Sequence, residues 1–198
     1  MFYDAVANTH GLAVDPFKAL VTPRPIGWIS TLGRNSVVNL APYSFFNAVS
    51  EDPNFVMFAS GGRKDSQRNA EETGEFVCSL ATYELREAMS RTSAAVSPDV
   101  DEMRLAGLTP APSRFVKPPR VKESPVAFEC RRNGGPSGNA IVLGQVVGVH
   151  IADEAIVEGR VDVTRLRPIA RLGYGDYAVI DEVFSLPRRG SGASGASQ

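Results

Sequence analysis

The stretch from residue 22 to residue 47 constrains the fold more than any other part of the chain. It reads TPRPIGWISTLGRNSVVNLAPYSFFN and contains the only tryptophan. Residues 26–32 are rich in β-forming side chains and follow two closely spaced prolines, which predicts a strand. Residues 33–36 have the composition of a turn, and residues 37–40 predict a short partner strand. Pro42 lacks an N–H group, so we expect it to end this pairing.

The end of this stretch, residues 43–47 (YSFFN), alternates aromatic rings with hydrogen-bonding groups. We expect an irregular backbone here, with free N–H groups and ring edges that suit a flat polar heterocycle. The alternative is a hairpin with a buried aromatic corner. The residues alone leave both interpretations open.

A second informative stretch begins with the apolar run NFVMFAS at 54–60. A continuous apolar run of this length predicts a strand that is buried on both faces. The following residues, GGRKDS, predict a glycine turn and then a helix over 66–72. We expect Asp65 to be the N-cap of this helix and Gly74 to end it.

The start of this helix has the features of a phosphate site. Unpaired N–H groups at a helix N-terminus attract anions, and Arg63 and Lys64 stand beside them in the sequence. The hydroxyls of Ser60 and Ser66 are further donors. The alternative is an ordinary surface turn with solvated basic side chains.

The rest of the chain predicts more short strands and a few short helices. Glycine and proline turns between the strands are typical of a mainly β fold, a β-barrel with short α-helices. The barrel is expected to be antiparallel and closed. Strands are predicted at 75–81, 126–132, 139–151 and 177–184, a turn at 133–138, and helical turns at 15–20, 83–92 (capped by Thr82), 99–106 and 161–166.

Composition excludes several classes of function. The formal charge of −1, from 21 basic and 22 acidic residues, gives no electrostatic reason to bind nucleic acid or an anionic membrane. No apolar run approaches the roughly 20 residues of a membrane helix, and the N-terminus does not resemble a secretory signal. We therefore expect a cytoplasmic protein. Cys78 and Cys130 form no CxxC motif, so we expect reduced thiols in strands and no metal site.

Catalytic motifs are missing from the sequence. There is no GxSxG, no HExxH and no GxGxxG that leads from a strand into a helix. This argues against hydrolysis, metal catalysis and a Rossmann domain. A lone histidine such as His150 is more often structural than catalytic. The alternative is a polar group near a substrate pocket, and His10 is the weaker candidate of the two.

Residues 23–31 (PRPIGWIST) and 39–47 (NLAPYSFFN) resemble the flavin reductase-like family of FMN-binding split β-barrels. The resemblance resumes at 60–69 and at 171–177, and so covers most of residues 14–184. It implies an FMN-binding split barrel of Greek-key type. We divide the chain into a lead-in (1–13), this domain (14–186) and a disordered tail (187–198).

The resemblance also implies roles for individual residues. FMN is the expected cofactor, with FAD as the alternative, and NADH or NADPH is the transient donor. The isoalloxazine ring and ribityl chain are assigned to Trp28, Ile29, Ser30, Thr31, Ser44, Phe45, Phe46 and Asn47. The phosphate is assigned to Ser60, Arg63, Lys64 and Ser66, and the rim of the pocket to Arg171 and Tyr174.

The family includes more than one kind of protein, so three functions remain open. The first is an NAD(P)H-dependent flavin reductase that passes hydride from nicotinamide to flavin and supplies a partner oxygenase or another acceptor. The second is an FMN electron carrier that does not use nicotinamide. The third is a non-redox split-barrel binding protein. In each flavin case the resemblance implies a homodimer with FMN at the subunit interface.

Overall fold

Short antiparallel strands are the main regular elements of this computed structural model, which describes residues 1–133 and 141–186. The strands are β1 (Arg24–Pro25), β2 (Gly27–Leu32), β3 (Val38–Tyr43), β4 (Phe46–Glu51), β5 (Asn54–Ala59), β6 (Glu75–Leu80), β7 (Pro110–Ala111), β8 (Arg120–Val121), β9 (Val126–Arg132), β10 (Ile141–Ile151), β11 (Ile156–Val157), β12 (Arg160–Val161), β13 (Ile169–Arg171) and β14 (Tyr177–Val179). The helices are α1 (Phe17–Leu20), α2 (Asp65–Thr73), α3 (Arg86–Arg91), α4 (Glu102–Leu105) and α5 (Val163–Leu166), with a 3-10 turn at Asp153–Ala155.

Seven strands form the main sheet, in the order β3-β2-β6-β9-β10-β5-β4. The sheet curls into a half-barrel. Its two edges, β3 and β4, are consecutive in the chain and are joined by Ser44 and Phe45. Within the described residues these edges do not pair with each other, so the barrel is split. The pattern of strands and turns had predicted a closed barrel. The mainly β prediction is confirmed.

The hairpin of β2 and β3 forms as predicted, but it is longer. Its register runs from Leu32 opposite Val38 to Gly27 opposite Tyr43, with Trp28 opposite Pro42. The prediction that Pro42 ends the pairing was therefore wrong. Because β3 lies at the edge of the sheet, one side of the strand needs no donors, and an edge strand tolerates proline.

The core lies on both sides of β2, because successive side chains of a strand point to opposite faces. Trp28 packs with Leu40 and Met103 on one side, while Ile29 packs with Phe58 and Phe76 on the other. Close packing also explains a glycine in β10, since a Cβ at Gly144 would lie 2.4 Å from the Phe76 ring. β2 is thus a central strand with little freedom to move.

Helix α2 begins one residue earlier than predicted. Asp65 is its first residue and Lys64 holds the N-cap position, without a side-chain cap. The assignment of Asp65 as N-cap was therefore wrong, and its carboxylate instead forms an ion pair with Arg68 at 2.6 Å. Gly74 ends the helix in the left-handed conformation, as predicted.

Other boundaries differ more modestly. The strand predicted at 54–60 forms as β5, but only alternate residues are buried, since one face is partly open. Thr82 does not cap α3, because residues 83–85 form a turn first and Leu85 precedes the helix. The last strand is short, with β14 ending at Val179. The turn predicted at 133–138 falls outside the described residues from 134 onward, as does the tail at 187–198.

Cys78 and Cys130 are buried, unpaired thiols in β6 and β9. In the part of the chain that the structure describes, no group of three or more side chains could hold a metal ion. In that same part, none of the helices has the length and apolarity needed to cross a bilayer.

Candidate functional site

Two adjoining cavities lie where the barrel is split between β3 and β4, and we call them together the corner groove. Their volumes are about 560 Å³ and about 510 Å³. They lie side by side, because five residues line both of them. The shared residues are Lys18, Pro42, Ser44, Phe45 and Ser93.

The inner end of the groove is formed by the start of α2. Lys64, Asp65 and Ser66 line the cavity, and the helix has no side-chain cap, which leaves its first main-chain N–H groups for a ligand. The positive end of the helix dipole and the exposed Lys64 ammonium favour an anion here. The negative charge of Asp65 is balanced by its ion pair with Arg68. This end of the groove therefore suits a phosphate.

A buried hydrogen-bond network supports this end. The Ser66 hydroxyl donates to Asn39 Oδ1 at 2.6 Å, and Asn39 Nδ2 donates to Glu102 Oε1 at 2.8 Å. The Leu40 main-chain N–H donates to Glu102 Oε2 at 3.1 Å. Because the Ser66 proton points inward to Asn39, Ser66 offers a ligand its main-chain N–H and not its hydroxyl proton.

Glu102 lines the groove from α4 and is almost completely buried. Burial raises the pKa of its carboxyl group; donors from Leu40 and Asn39 lower the pKa only partly, and the charge of Asp65 raises it further. Burial likewise raises the pKa of the Tyr43 hydroxyl, against the effect of hydrogen bonds with Ser66 and Ser60. Burial at the floor of the groove thus disfavours the ionised forms of these two side chains.

The outer end of the groove is formed by α1, β1 and the loop after β13. The Arg171 guanidinium donates to Tyr174 O and to the Tyr177 hydroxyl, and it lies 4.5 Å from the centre of the Tyr177 ring. Tyr174 is held in the left-handed backbone region, with φ of 55°, and its side chain is exposed. Arg24 is buried and donates to Leu172 O at 2.6 Å. These contacts fix the rim.

Six of the predicted binding residues line the corner groove, although they come from three separate parts of the chain. Ser44 and Phe45 come from the corner between β3 and β4, and the others flank the two ends. The six residues are Ser44, Phe45, Lys64, Ser66, Arg171 and Tyr174.

The four predicted residues of β2 do not line the groove. Trp28 and Ile29 are fully buried, and Trp28 Nε1 donates to Thr92 Oγ1 at 2.9 Å. The Ser30 hydroxyl donates to Pro119 O, and Thr31 hydrogen-bonds Asn39 within the core. Since β2 also pairs with β3 and β6 on its two sides, it supports the groove from behind.

Four more predicted residues lie near the groove without lining it. Phe46 is half-buried against Gly27, and Asn47 is exposed on the edge strand β4. Ser60 is buried and donates to Gly62 O at 2.6 Å, while Arg63 pairs with Glu71 at 3.1 Å.

The two histidines lie outside the groove. His150 contacts Glu129, with 2.5 Å between Nε2 and Oε1, and lines a different cavity. The His10 ring lies against Tyr3 in the lead-in, with 5.6 Å between ring centres.

Sequence reasoning missed several residues that build the site. Arg24 lies in the motif at 23–31 and Asn39 in the motif at 39–47. Their polar side chains, next to prolines and strand residues, could have indicated a role in the site. Lys18 and Ser93 line both halves of the groove, and Glu102 lines its floor. No local sequence pattern marked Glu102 as a site residue, because it lies in a loop-rich segment of ordinary composition.

Comparison with known proteins gives a consistent result. Residues 20–167 match the family model described as "Flavin reductase like domain". Nitrilotriacetate monooxygenase component B from Bacillus cereus is 33% identical, with a TM-score of 0.79 over 89% of this chain and 95% of that one. The 2-nitrobenzoate 2-nitroreductase NbaA from Pseudomonas fluorescens is 26% identical, with a TM-score of 0.85 over 98% of this chain and 100% of that one.

A third solved structure supports the fold alone. A protein from Shewanella frigidimarina, described as having a split barrel domain, is 21% identical, with a TM-score of 0.81 over 95% of this chain and 99% of that one. The predicted split barrel is therefore confirmed.

Proposed function

The chain belongs to the flavin reductase-like family, and from this premise we propose that it binds FMN and acts as an NAD(P)H-dependent flavin reductase. The corner groove is the observation that carries the proposal. One end has a helix N-terminus and a lysine, which suit a phosphate, and the middle has a polar and aromatic corner, which suits a flat heterocycle.

The phosphate would be held by Lys64 and by the main-chain N–H groups of the first turn of α2. The ammonium and the helix dipole act together on a dianion, and the Asp65–Arg68 ion pair removes the main source of repulsion. Ser66 contributes through its main chain, because its hydroxyl is bonded to Asn39.

The ring system would lie against Ser44 and Phe45, with Arg171 and Tyr174 at the rim. Bound FMN supplies the redox chemistry of the reaction, because it accepts a hydride and releases electrons singly or in pairs. The protein's own residues orient the cofactor and control access to it. This division of roles accounts for the missing acid–base motifs.

We propose that the nicotinamide donor binds transiently in the open part of the groove. No dinucleotide fingerprint follows a strand into a helix in the sequence, so the chain has no Rossmann site for it. The exposed residues Tyr174 and Tyr177 offer apolar surface near the rim.

We also propose a homodimer with FMN between the subunits. Phe17, Leu20 and Phe45 are large apolar residues at or next to the mouth of the groove, and they are 55%, 70% and 41% exposed. Exposed apolar side chains clustered at a groove are typical of an interface. Light scattering on a sizing column should give twice the chain mass, and a monomer with bound FMN would contradict this part of the proposal.

The electron acceptor is proposed to be a partner oxygenase. The similarity to a monooxygenase component B supports this choice. The test is whether reduced flavin produced by this protein sustains turnover of a purified flavin-dependent oxygenase. Failure with every oxygenase encoded nearby would favour another acceptor.

The decisive experiment is an absorption spectrum of the purified protein before and after anaerobic addition of NADH or NADPH. We expect the oxidised-flavin bands, present as purified or after FMN addition, and their bleaching by a nicotinamide. Bound FMN that neither donor bleaches would favour the electron carrier. Failure to bind FMN at all would overturn the proposal.

The phosphate assignment has a matched pair of variants. Lys64→Ala should weaken FMN binding about tenfold or more and leave riboflavin binding unchanged, because a charge-assisted hydrogen bond contributes about 1.5–3 kcal/mol. Arg63→Ala is the control, since Arg63 is paired with Glu71 outside the groove. Equal losses for FMN and riboflavin in Lys64→Ala would refute the assignment.

A further inference from the structure

A third cavity, which we call the basic cavity, lies between the end of the β9–β10 hairpin and the segment 111–125. Its volume is about 460 Å³, and none of its lining residues lines the corner groove. The residues that matter here are Arg114, Phe115, Arg120, Lys122, Glu129 and His150.

The charge of this cavity is unbalanced. Arg114, Arg120 and Lys122 are cationic, and Glu129 is the one acidic residue among the described residues that line it. Within the described parts of the chain, neither Arg114 nor Arg120 forms an ion pair. Lys122 stands beside Glu123, whose pKa is lowered despite partial burial, in part by the Lys122 charge.

Within the described residues Glu129 forms no ion pair with these arginine and lysine side chains, because its oxygens contact other groups. They accept the main-chain N–H of Arg114 at 2.8 Å and of Phe115 at 2.6 Å, and Oε1 also contacts His150 Nε2 at 2.5 Å. Glu129 is completely buried. Its carboxylate holds the segment 111–125 and the histidine in place. The arginine and lysine side chains are therefore available to bind an anion.

Arg120 carries the strongest sign of a missing partner. Its Nε is buried and has no hydrogen-bond acceptor in the described parts of the chain. A buried donor without an acceptor costs about 1–3 kcal/mol, so such groups are rare in native proteins. A bound anion that engages the guanidinium would offset this cost.

Apolar side chains also line this cavity. Phe115 and Val149 are more than half exposed, and Pro125 completes this side of the cavity. Guanidinium groups bind carboxylate and phosphate groups with two parallel hydrogen bonds. We propose that the basic cavity is a binding site for a small organic anion with at least two negative charges and an apolar ring.

The proposal does not depend on flavin binding, so its test uses the full chain with and without FMN. Isothermal titration with phthalate and with phenyl phosphate should show one saturable site per chain, and benzoate, with a single charge, should bind at least tenfold more weakly. Comparison of phthalate with phenyl phosphate shows whether carboxylates or phosphates are preferred. One equivalent of FMN, enough to fill the proposed FMN site in the corner groove, should leave this binding unchanged.

Substitutions test whether Arg120 and Lys122 form the binding site. Arg120→Gln and Lys122→Gln should each weaken phthalate or phenyl phosphate binding at least tenfold while FMN binding stays unchanged. Arg104→Gln is the control, since this arginine is on α4, exposed and paired with Asp101. Lys122 is exposed, so its variant tests the site even if Arg120→Gln fails to fold. No saturable binding to the wild type, competition by one equivalent of FMN, or unchanged binding in Lys122→Gln would overturn the proposal.

Discussion

Glu102 lies beneath the corner groove and Glu129 beneath the basic cavity. Both carboxyl groups are buried, which disfavours their ionised form, but their neighbours differ. Each is less than a tenth exposed, and each accepts main-chain N–H groups. Burial raises the pKa of both carboxyl groups. Nevertheless the pKa of Glu102 is raised overall, while that of Glu129 is lowered.

The partners explain the difference. Glu129 receives two main-chain donors and His150, whose positive charge, when present, stabilises the carboxylate. Glu102 receives one main-chain donor and the neutral amide of Asn39, and the nearby charge of Asp65 opposes its ionisation. For Glu129 the hydrogen bonds from His150, Arg114 and Phe115, with the charge of His150, outweigh burial, whereas the donors to Glu102 do not. The groove therefore places a carboxyl group of raised pKa close to the proposed phosphate site.

The largest expected effect is on stability in Glu129→Ala. The change leaves the N–H groups of Arg114 and Phe115 without an acceptor and removes the partner of His150. Removing one member of a buried pair costs about 3–5 kcal/mol, which urea unfolding at neutral pH should show. The exposed Glu87→Ala is the control and should change stability by about 0.5 kcal/mol or less. An equal effect in both variants would refute the role of Glu129.

Next in size is the difference between two substitutions of Glu102. Glu102→Ala should cost about 1–3 kcal/mol, because Leu40 N and Asn39 Nδ2 lose their acceptor. Glu102→Gln keeps one acceptor and removes a charge that burial disfavours, although its NH2 group then faces one of the two donors, so its cost should lie below that of alanine. If glutamine costs as much as alanine in the same unfolding assay, the contrast with Glu129 is wrong.

A smaller effect is expected in His150→Gln. Glutamine can still donate a hydrogen bond to Glu129 but lacks the imidazole ring, so we expect a loss of about 1 kcal/mol in the free energy of unfolding. Urea unfolding at neutral pH gives the comparison with Glu129→Ala. A loss as large as that of Glu129→Ala would show that the main-chain donors to Glu129 contribute little.

The smallest effects are the pH dependences of the two glutamates, which should have opposite signs. Because the folded-state pKa of Glu129 is lowered, its stabilisation is present above the ordinary glutamate pKa and is lost as pH falls through the folded value. Because the folded-state pKa of Glu102 is raised, its contribution is present below the ordinary value and is lost as pH rises through the folded value. The difference in free energy of unfolding between the wild type and Glu129→Gln, and that between the wild type and Glu102→Gln, should be measured from pH 3 to pH 8. The two differences should change with pH in opposite directions.

Much of the fold followed from local patterns. The strand at 126–132 has the predicted bounds, and the hairpin of β2 and β3, the helix before Gly74 and the short helix near Glu102 form where expected. Alternation of apolar residues, glycine turns and helix stops act within a few residues, so the sequence displays them directly. The errors at Pro42 and Asp65 concern positions where the effect of a residue depends on its neighbours in space.

The sequence by itself determined the mainly β class, the family and the residues at the two ends of the groove, because each of these rests on contiguous motifs. Only the tertiary structure decided that Trp28 to Thr31 are buried behind the groove, and that Asn39 and Glu102, 63 residues apart, share a hydrogen bond. It also decided that one buried glutamate meets a histidine and the other an aspartate. The physical reason is that burial and charge depend on which strands pair and which loops cover them, and no local stretch of sequence carries that information.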